Sequence, residues 1–279
     1  MAWSGATWTT DSAGLSIICT AAFVAAHEEG KHVKRTTRKS SWVTVLIAAI
    51  VAALAWVTFP TVALASPLYP TGTTGYDVSW PNCSATPPTN PSFGIVGVSN
   101  GTGYTQNPCL AQEAAWFPSI NLYVNTGWND QSVYLNPNSP RVCAAGDQNC
   151  LAYNYGYNAG LYALTYANSQ TVHASAWWLD VETSNTWNSD VVQNQNSLQG
   201  EDDALVANGV TTVGVYSTTA QWTSVTGGWL NNWPSWGATT WTTAKQALTY
   251  CTGHQFTGGP SYFMQFKPKR PGLDQDVAC

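Results

Sequence analysis

Residues 175 to 182 read S-A-W-W-L-D-V-E. The run is short, rich in Trp, Leu and Val, and free of Gly and Pro, which predicts a buried β-strand rather than a helix. Side chains alternate along a strand, so Trp178, Asp180 and Glu182 are expected on one face and Trp177 on the other. Two carboxylates therefore point the same way.

The two acids of this stretch have the spacing of a chemical pair. The Cα atoms of Asp180 and Glu182 would lie about 6.5 to 7 Å apart, which leaves the carboxyl groups within the roughly 5 to 9 Å used in glycoside cleavage. Repulsion between them and desolvation by Trp178 would keep one of them protonated, as a general acid must be. The alternative is the solvated face of an edge strand, although the Trp-Trp-Leu run fits a strand covered on both sides.

Composition bounds the class of protein. At 279 residues the chain has room for one large domain or two small ones. Only 9% of residues are charged and 13% are aromatic, which suits an extracellular domain with sugar-stacking surfaces. From Ser66 onward 12 acidic residues face 5 basic ones, a net charge of −7. An acidic domain is a poor nucleic-acid binder, so that class is excluded.

The cysteines indicate a disulfide framework. One of the seven precedes the apolar segment at residues 42–65 and six follow it, which predicts three disulfides after export. Fifteen connectivities are possible, and proximity in sequence favours Cys83 with Cys109, Cys143 with Cys150, and Cys251 with Cys279. A zinc site is not expected, because the chain has no C-x-x-C pair and its histidines have no ligand spacing. No metal or other cofactor is predicted.

The N-terminal part reads as an export region. Residues 1–41 carry a basic cluster and no sustained periodicity, and are predicted to be disordered and cytoplasmic. Residues 42–65 are uncharged, and the bases before them direct the remainder of the chain outward. The run ends in an A-x-A-like cleavage site before Ser66, so cleavage and secretion are favoured. Uncleaved, the same residues are long enough to tether the protein to the membrane.

The rest of the chain alternates strands with helices. After a linker at residues 66–74, the domain at residues 75–279 shows predicted strands at 75–80, 93–99, 119–126, 175–182, 212–217, 234–240 and 262–266, with a weak one around His254. Predicted helices fall at 108–117, 151–168, 195–208, 218–225 and 242–248. This alternation predicts an α/β fold with a parallel sheet, and about eight strands favour a closed (β/α)8-type, TIM-like barrel with some helices short or missing.

The acidic residues fall where such a barrel places its chemistry. Reactive groups sit at the carboxyl ends of barrel strands. Asp77 ends the first predicted strand, Asp180 and Glu182 end the fourth, and Asp274 and Asp276 follow the last. First and last strands are neighbours in a closed barrel, so these acids are expected to meet at one mouth.

Several short motifs share an order with a known family. They are G-Y-D-V-S from Gly75, D-V-E from Asp180, G-V-Y-S from Gly214 with Trp222 after it, and M-Q-F from Met264 with L-D-Q-D from Leu273. Over about residues 74 to 279 the chain resembles the glycoside hydrolase family 25 lysozymes and related domains of secreted actinobacterial proteins. The resemblance implies a barrel with fewer than eight full helices that cleaves the β-1,4 bond after N-acetylmuramic acid in peptidoglycan. A monomer acting on peptidoglycan or another polysaccharide is expected.

The resemblance also implies roles, carried over by position. Glu182 looks like the proton donor and Asp180 like the stabiliser of positive charge on an oxazolinium or an oxocarbenium. Asp77 and Asp274 look like residues that orient these groups or the sugar. Met264 stands where the family usually has Trp, and Asp276 where it often has Asn. These departures keep open a second class, a catalytically silent barrel that binds cell-wall or other polysaccharide.

A further set of side chains is expected to bind the sugar. Aromatic rings stack on sugar faces, but each one can equally belong to the core. The predicted substrate-binding residues are Trp80, Tyr123, Trp178, Tyr216, Gln265 and Asp276, with Trp128 and Trp236 as further stacking candidates.

Overall fold

The computed structural model describes residues 68–268 and 272–279. The predicted disordered region at 1–41 and the export or anchor segment at 42–65 lie outside the described residues. Within the described part of the chain, no helix is long and apolar enough to cross a membrane.

Eight strands close into a barrel in chain order, as predicted. They are β1 (Thr74–Val78), β2 (Gly94–Gly97), β3 (Ile120–Asn125), β4 (Ala176–Asp180), β5 (Thr212–Ser217), β6 (Ser235–Ala238), β7 (Ser261–Phe266) and β8 (Asp274–Ala278). The weak strand predicted around His254 is wrong, because turns and bends occupy that stretch and the eighth strand lies at the C-terminus instead.

The direction of the last strand corrects the prediction of a wholly parallel sheet. Neighbouring strands from β1 to β7 pair in parallel, whereas β8 runs antiparallel to both β7 and β1. Only residues 267–273 separate β7 from β8, and a parallel crossover needs a dozen or more. Asp274 and Asp276 therefore lie within the last strand rather than after it. The antiparallel direction brings the start of β8 to the mouth where the parallel strands end.

The helices are fewer and less even than in a full eightfold barrel. A 3-10 turn at Trp80–Asn82 follows β1, and the α-helices are α1 (Leu110–Ala114), α2 (Gln148–Ser169), α3 (Val191–Ala207), α4 (Thr219–Thr226) and α5 (Ala244–Leu248). The two long helices begin at aspartate caps, because the side chains of Asp147 and Asp190 accept hydrogen bonds from first-turn backbone N–H groups. Both helices start a few residues before their predicted positions.

The backbones of helices α2 and α3 are in direct contact at two glycines. A Cβ atom at Gly156 would lie 1.8 Å from the carbonyl oxygen of Ser197, and one at Gly200 would lie 2.0 Å from that of Tyr153. Only glycine leaves room for this contact. The Ser197 hydroxyl on α3 also donates to the carbonyl oxygen of Gly127 at 2.7 Å, which ties the helix pair to the segment just after β3.

Apolar side chains form a layer on each face of the sheet. Trp177 and Leu179 pack outward with helix residues such as Leu198. Trp178 points into the barrel and packs with Phe263 and other aromatic rings of the interior. This opposite placement of Trp177 and Trp178 is what strand alternation predicts, and it fixes which face of β4 carries its acids.

All three favoured disulfides are confirmed. The structure joins Cys83 to Cys109, Cys143 to Cys150 and Cys251 to Cys279, with Cα separations of 5.5, 5.5 and 5.4 Å. The third bridge ties the end of β8 to the segment after α5, so it holds the antiparallel strand in the barrel.

Candidate active site

A cleft of about 370 Å³ opens at the carboxyl ends of the parallel strands. We call it the acidic cleft. It is lined by Asp77, Ser79, Pro81, Asn82, Tyr123, Asp180, Glu182, Tyr216, Trp236, Gln265, Lys267, Gly272 and Asp274. All four predicted catalytic acids are among these residues. The structure thus brings together acids from the first, fourth and last strands.

Asp180 is the most firmly held acid of the cleft. It is 4% exposed, and the amide nitrogen of Asn125, its partner in the β3 to β4 register, donates a hydrogen bond to its Oδ2. Its Oδ1 is buried without a hydrogen-bond partner among the described residues. Burial, followed by the negative charge of Glu182, raises the pKa of Asp180 well above its usual value, against the lowering effect of Asn125. Burial therefore favours the protonated form of Asp180.

Glu182 lies two residues beyond the end of β4 and is partly exposed at the mouth. Its backbone carbonyl accepts from the indole nitrogen of Trp187 at 2.8 Å and from the backbone N–H of Asn185 at 3.0 Å. These bonds fix the backbone, while the side chain makes no hydrogen bond to any described residue. Glu182 is thus held in position with its carboxyl group open to the cleft.

Asp77 is held by side chains from β7 and β5. The amide nitrogen of Gln265 donates to its Oδ2 at 3.0 Å, and the Tyr216 hydroxyl donates to the Gln265 Oε1 at 2.9 Å. Burial, followed by the negative charge of Asp274, raises the pKa of Asp77 to about 7. This acid changes its charge near neutral pH.

Asp274 starts β8 directly opposite Asp77. Its Oδ2 lies 3.6 Å from the Nζ of Lys267, and both side chains are well exposed, so the ion pair contributes little to stability. Lys267 is the basic residue among those lining the cleft. Among the described residues that line the cleft, one exposed cation thus faces four acids.

Three of the predicted stacking residues line the cleft: Tyr123, Tyr216 and Trp236. Burial raises the pKa of both tyrosines, so each hydroxyl keeps its proton. The rings of Tyr216 and Trp236 contact each other at 4.3 Å between centroids, and Tyr123 meets Trp236 edge to face at 6.0 Å. They form an aromatic wall beside the acids, in which the partly exposed rings of Tyr123 and Tyr216 are open to a sugar and the buried ring of Trp236 packs behind them.

Several substrate-binding predictions need correction. Trp178 is fully buried in the barrel interior, and Trp128 is 1% exposed with its indole nitrogen donating to Gln193, so neither ring can meet a sugar. Asp276 is also fully buried and lies beneath the cleft. Trp80 is 44% exposed but is not among the residues lining the cleft. For the two tryptophans, the apolar surface of the ring is used in the core.

Two cleft features were missed in the sequence. Asn125 holds Asp180, and Lys267 pairs with Asp274. A polar residue at the carboxyl end of β3, beside the acid-bearing strand, was the signal for Asn125. Lys267 carried no comparable signal, since its place depends on the direction of β8.

A larger groove of about 880 Å³ adjoins the acidic cleft and shares Asn82 and Gly272 with it. The described residues that line it include Tyr76, Leu273 and Gln275 but no acidic or basic side chain. The acidic side chains therefore line the smaller cleft and not this groove.

Fold and cleft together define an α/β barrel with a cluster of acids at the carboxyl ends of its strands. A scan against family models finds no match, and a search of curated proteins finds none. Among solved structures, the chain is similar to a glycosyl hydrolase 25 of Streptococcus pneumoniae, with 16% identity, coverage of 74% of this chain and 87% of that one, and a TM-score of 0.47.

Two further solved structures are similar to the chain. The catalytic domain of an endolysin from bacteriophage P40 of Listeria monocytogenes is 15% identical, with coverage of 76% and 95% and a TM-score of 0.48. A lysozyme from Streptomyces coelicolor is 16% identical, with coverage of 75% and 93% and a TM-score of 0.42. At these identities the likeness concerns the fold alone.

Proposed function

We propose that the chain is a secreted glycoside hydrolase, a muramidase that cleaves the β-1,4 bond after N-acetylmuramic acid in peptidoglycan. One observation carries the proposal: acids from β1, β8 and the end of β4 line one cleft beside an aromatic wall. Paired carboxyl groups next to sugar-stacking rings are what glycoside cleavage requires. The motifs that resemble family 25 lysozymes fall on these same residues.

Glu182 is the proton donor in this proposal. Its carboxyl group is partly exposed at the mouth of the acidic cleft and makes no hydrogen bond to any described residue, so it is free to approach a glycosidic oxygen. Asp180 is buried deeper on the same strand and is bound by Asn125. The two environments suit different roles, with Glu182 transferring the proton and Asp180 meeting the sugar ring.

Asp180 stabilises the positive charge that forms on the sugar or on its acetamido group. Its Oδ1 is buried and has no hydrogen-bond partner among the described residues, so Asp180 acts through its charge rather than through a direct contact of this atom. Burial favours the neutral acid in the empty cleft, but a positive charge within about 4 to 6 Å favours the carboxylate. The charge on Asp180 therefore develops together with the charge on the substrate, and the interaction is strongest in the transition state.

Removal of the Glu182 acid tests the proposal. Wild-type protein should reduce the turbidity of purified bacterial cell walls, and Glu182→Gln should abolish that loss while still binding the walls. Glu201→Gln, the same substitution on α3 away from the cleft, should keep the activity and serves as the matched control. Wild-type protein that releases no reducing ends from any wall preparation would rule out the hydrolase.

The second candidate is a catalytically silent barrel that binds wall polysaccharide. The observation that favours it is the burial of Asp180, which disfavours the ionised form needed for charge stabilisation. Binding of wall glycan by wild type and Glu182→Gln alike, with no reducing ends from either, would establish this alternative.

Export is part of the proposal. Three disulfides are consistent with an extracellular protein, since such bonds persist in oxidising compartments. N-terminal sequencing of the protein recovered from culture medium should begin at Ser66. Retention of the intact chain in the membrane fraction would show instead that the segment at 42–65 remains as an anchor. The exported protein is expected to be a monomer, which light scattering would test.

A further inference from the structure

The peptide bond between Glu182 and Thr183 is held at both of its polar groups. The Glu182 carbonyl oxygen accepts from the indole nitrogen of Trp187 at 2.8 Å. The Thr183 N–H donates to the side-chain Oε1 of Gln221 at 2.7 Å. The carbonyl and N–H of a trans peptide point in opposite directions, so these two bonds together fix the plane of the peptide.

The sheet does not itself hold this part of the backbone. Pairing with β5 extends one residue past β4, where the Val181 N–H donates to the Tyr216 carbonyl at 2.9 Å. Glu182 comes next and starts a turn, which the Asn185 N–H closes by donating to the Glu182 carbonyl at 3.0 Å. The direction of the Glu182 side chain therefore depends on contacts made by the turn.

Gln221 makes an unusual contact for its position in α4. Residues 218–221 read T-T-A-Q, the spacing of a capping box with Thr218 as N-cap and Gln221 at the third helical position. Half of the box is present, since the Gln221 N–H donates to the Thr218 hydroxyl oxygen at 3.2 Å. In a complete box the glutamine side chain would bind the N-cap N–H. Its Oε1 instead accepts from both the N–H and the hydroxyl of Thr183, the latter at 3.2 Å.

Both side chains that bind the peptide are themselves held in place. Gln221 is fixed by the cap at its own N–H and precedes Trp222, which is fully buried. Trp187 is partly buried and packs against two groups of core residues, one containing Leu198 and the other containing Tyr155. Groups that position a reactive side chain need this kind of support.

We propose that Gln221 is a positioning residue which, together with Trp187, aims the carboxyl group of Glu182 into the acidic cleft. We call the two side chains the peptide clamp. The Glu182 carboxyl makes no hydrogen bond to any described residue, so its direction is set by the backbone that the peptide clamp holds. The inference deepens the proposed function and rests on it for its catalytic meaning.

Amide hydrogen exchange at Thr183 tests the peptide clamp without any need for turnover. Full-length protein labelled with ¹⁵N-threonine would be followed by NMR, with the Thr183 signal assigned from Thr183→Ser. Gln221→Met keeps the length of the side chain but has no oxygen acceptor, so the Thr183 N–H should exchange about tenfold faster than in wild type. Gln221→Glu keeps an acceptor oxygen and should preserve the protection. Gln112→Met, the same substitution at an exposed glutamine of α1, should leave Thr183 unchanged.

An unchanged exchange rate of Thr183 in Gln221→Met would overturn the peptide clamp. If Gln221→Met does not fold, Gln221→Asn decides. Its side chain keeps the amide but is one methylene group shorter, so it should also release the Thr183 N–H, and wild-type protection in this variant would equally refute the clamp.

The role of the clamp in proton transfer has a separate readout. On soluble peptidoglycan fragments, Gln221→Met should lower kcat about tenfold or more and leave KM within about twofold, because the acid is misdirected while the residues that line the cleft remain. Gln221→Glu should restore most of the lost kcat. A residue that only stabilised the fold would not produce this selective loss and rescue.

Two kinetic results would contradict the positioning role: a kcat in Gln221→Met equal to that of wild type, or a loss that Gln221→Glu does not restore. Faster Thr183 exchange in Gln221→Met, in a protein whose wild type cleaves no wall, would refute the proposed function and leave the peptide clamp standing.

Discussion

Glu201 on α3 gives a stability prediction that depends on one buried proton. Its side chain is 1% exposed, and its Oε1 has no hydrogen-bond partner among the described residues. Tyr104 and Tyr155 face it, and no cation from the described part of the chain does. Burial therefore raises the pKa of Glu201 well above its usual value. The folded state therefore keeps a proton that the unfolded chain releases above about pH 4.3.

The sign and size of the effect follow from that difference in bound protons. Between the unfolded and folded pKa values, this group lowers the free energy of unfolding by about 1.4 kcal/mol for each unit of rising pH. Glu201→Gln keeps the shape and removes the titration. Relative to wild type, the variant should therefore gain stability as the pH rises above the unfolded pKa, at a rate of up to about 1.4 kcal/mol per pH unit.

Urea denaturation followed by tryptophan fluorescence measures this difference directly. Wild type and Glu201→Gln would be compared at about pH 5 and about pH 6, with Asp130→Asn on an exposed loop as the control for net charge. A variant whose stability runs parallel to that of wild type would mean that Glu201 is ionised in the folded protein, and would refute the reasoning.

Two further predictions concern the cleft and the helix pair. Asn125→Ala removes the hydrogen bond that lowers the pKa of Asp180, so the acidic limb of the pH–rate profile should move to higher pH; Asn121→Ala in the same strand should leave it in place, and an unmoved limb in Asn125→Ala would contradict this role. Gly156→Ala should lower the free energy of unfolding by about 3 kcal/mol through its backbone clash, measured by thermal melting, whereas Gly103→Ala, with no atom nearer than 3.6 Å, should change it little.

Much of the fold was readable because local patterns agreed with one another. Alternation placed Trp177 outside and Trp178 inside the barrel, and neighbouring cysteines in sequence paired as expected. The acid-bearing segment also fell on β4 with its carboxyl groups at the strand ends. Each of these features depends on residues close together in the chain, where periodicity and spacing carry the information.

The features that were not predicted depend on contacts between residues far apart in the chain. The direction of β8 follows from the short connection after β7, and it changes the place of Asp276 from a tail beside the substrate to a buried position under the cleft. Trp178 looked like a stacking residue because it shares a face with Asp180. Trp178 lies two residues before Asp180, so its ring is deeper in the barrel and packs in the core. The sequence does not show how far along the strand the cleft extends.

The burial of Asp180 was predicted only in part. Repulsion between the two acids of β4 and desolvation were expected to keep one carboxyl protonated, but the sequence could not say which. Asp180 ends the strand and is covered, whereas Glu182 lies on the loop beyond it. The raised pKa therefore belongs to Asp180, the acid that is proposed to stabilise charge. Under that proposal, the positive charge that forms on the substrate favours the ionised form of Asp180.

The chemical identity of the cleaved ends tests the central claim most directly. Purified peptidoglycan would be digested, reduced with borohydride and hydrolysed, so that the sugar at each new reducing end is recovered as its alcohol. Wild type is predicted to yield the alcohol of muramic acid, and Glu182→Gln to yield none above the undigested blank. New ends on glucosamine alone, or equal yields from wild type and Glu182→Gln, would contradict a muramidase that uses Glu182 as its acid.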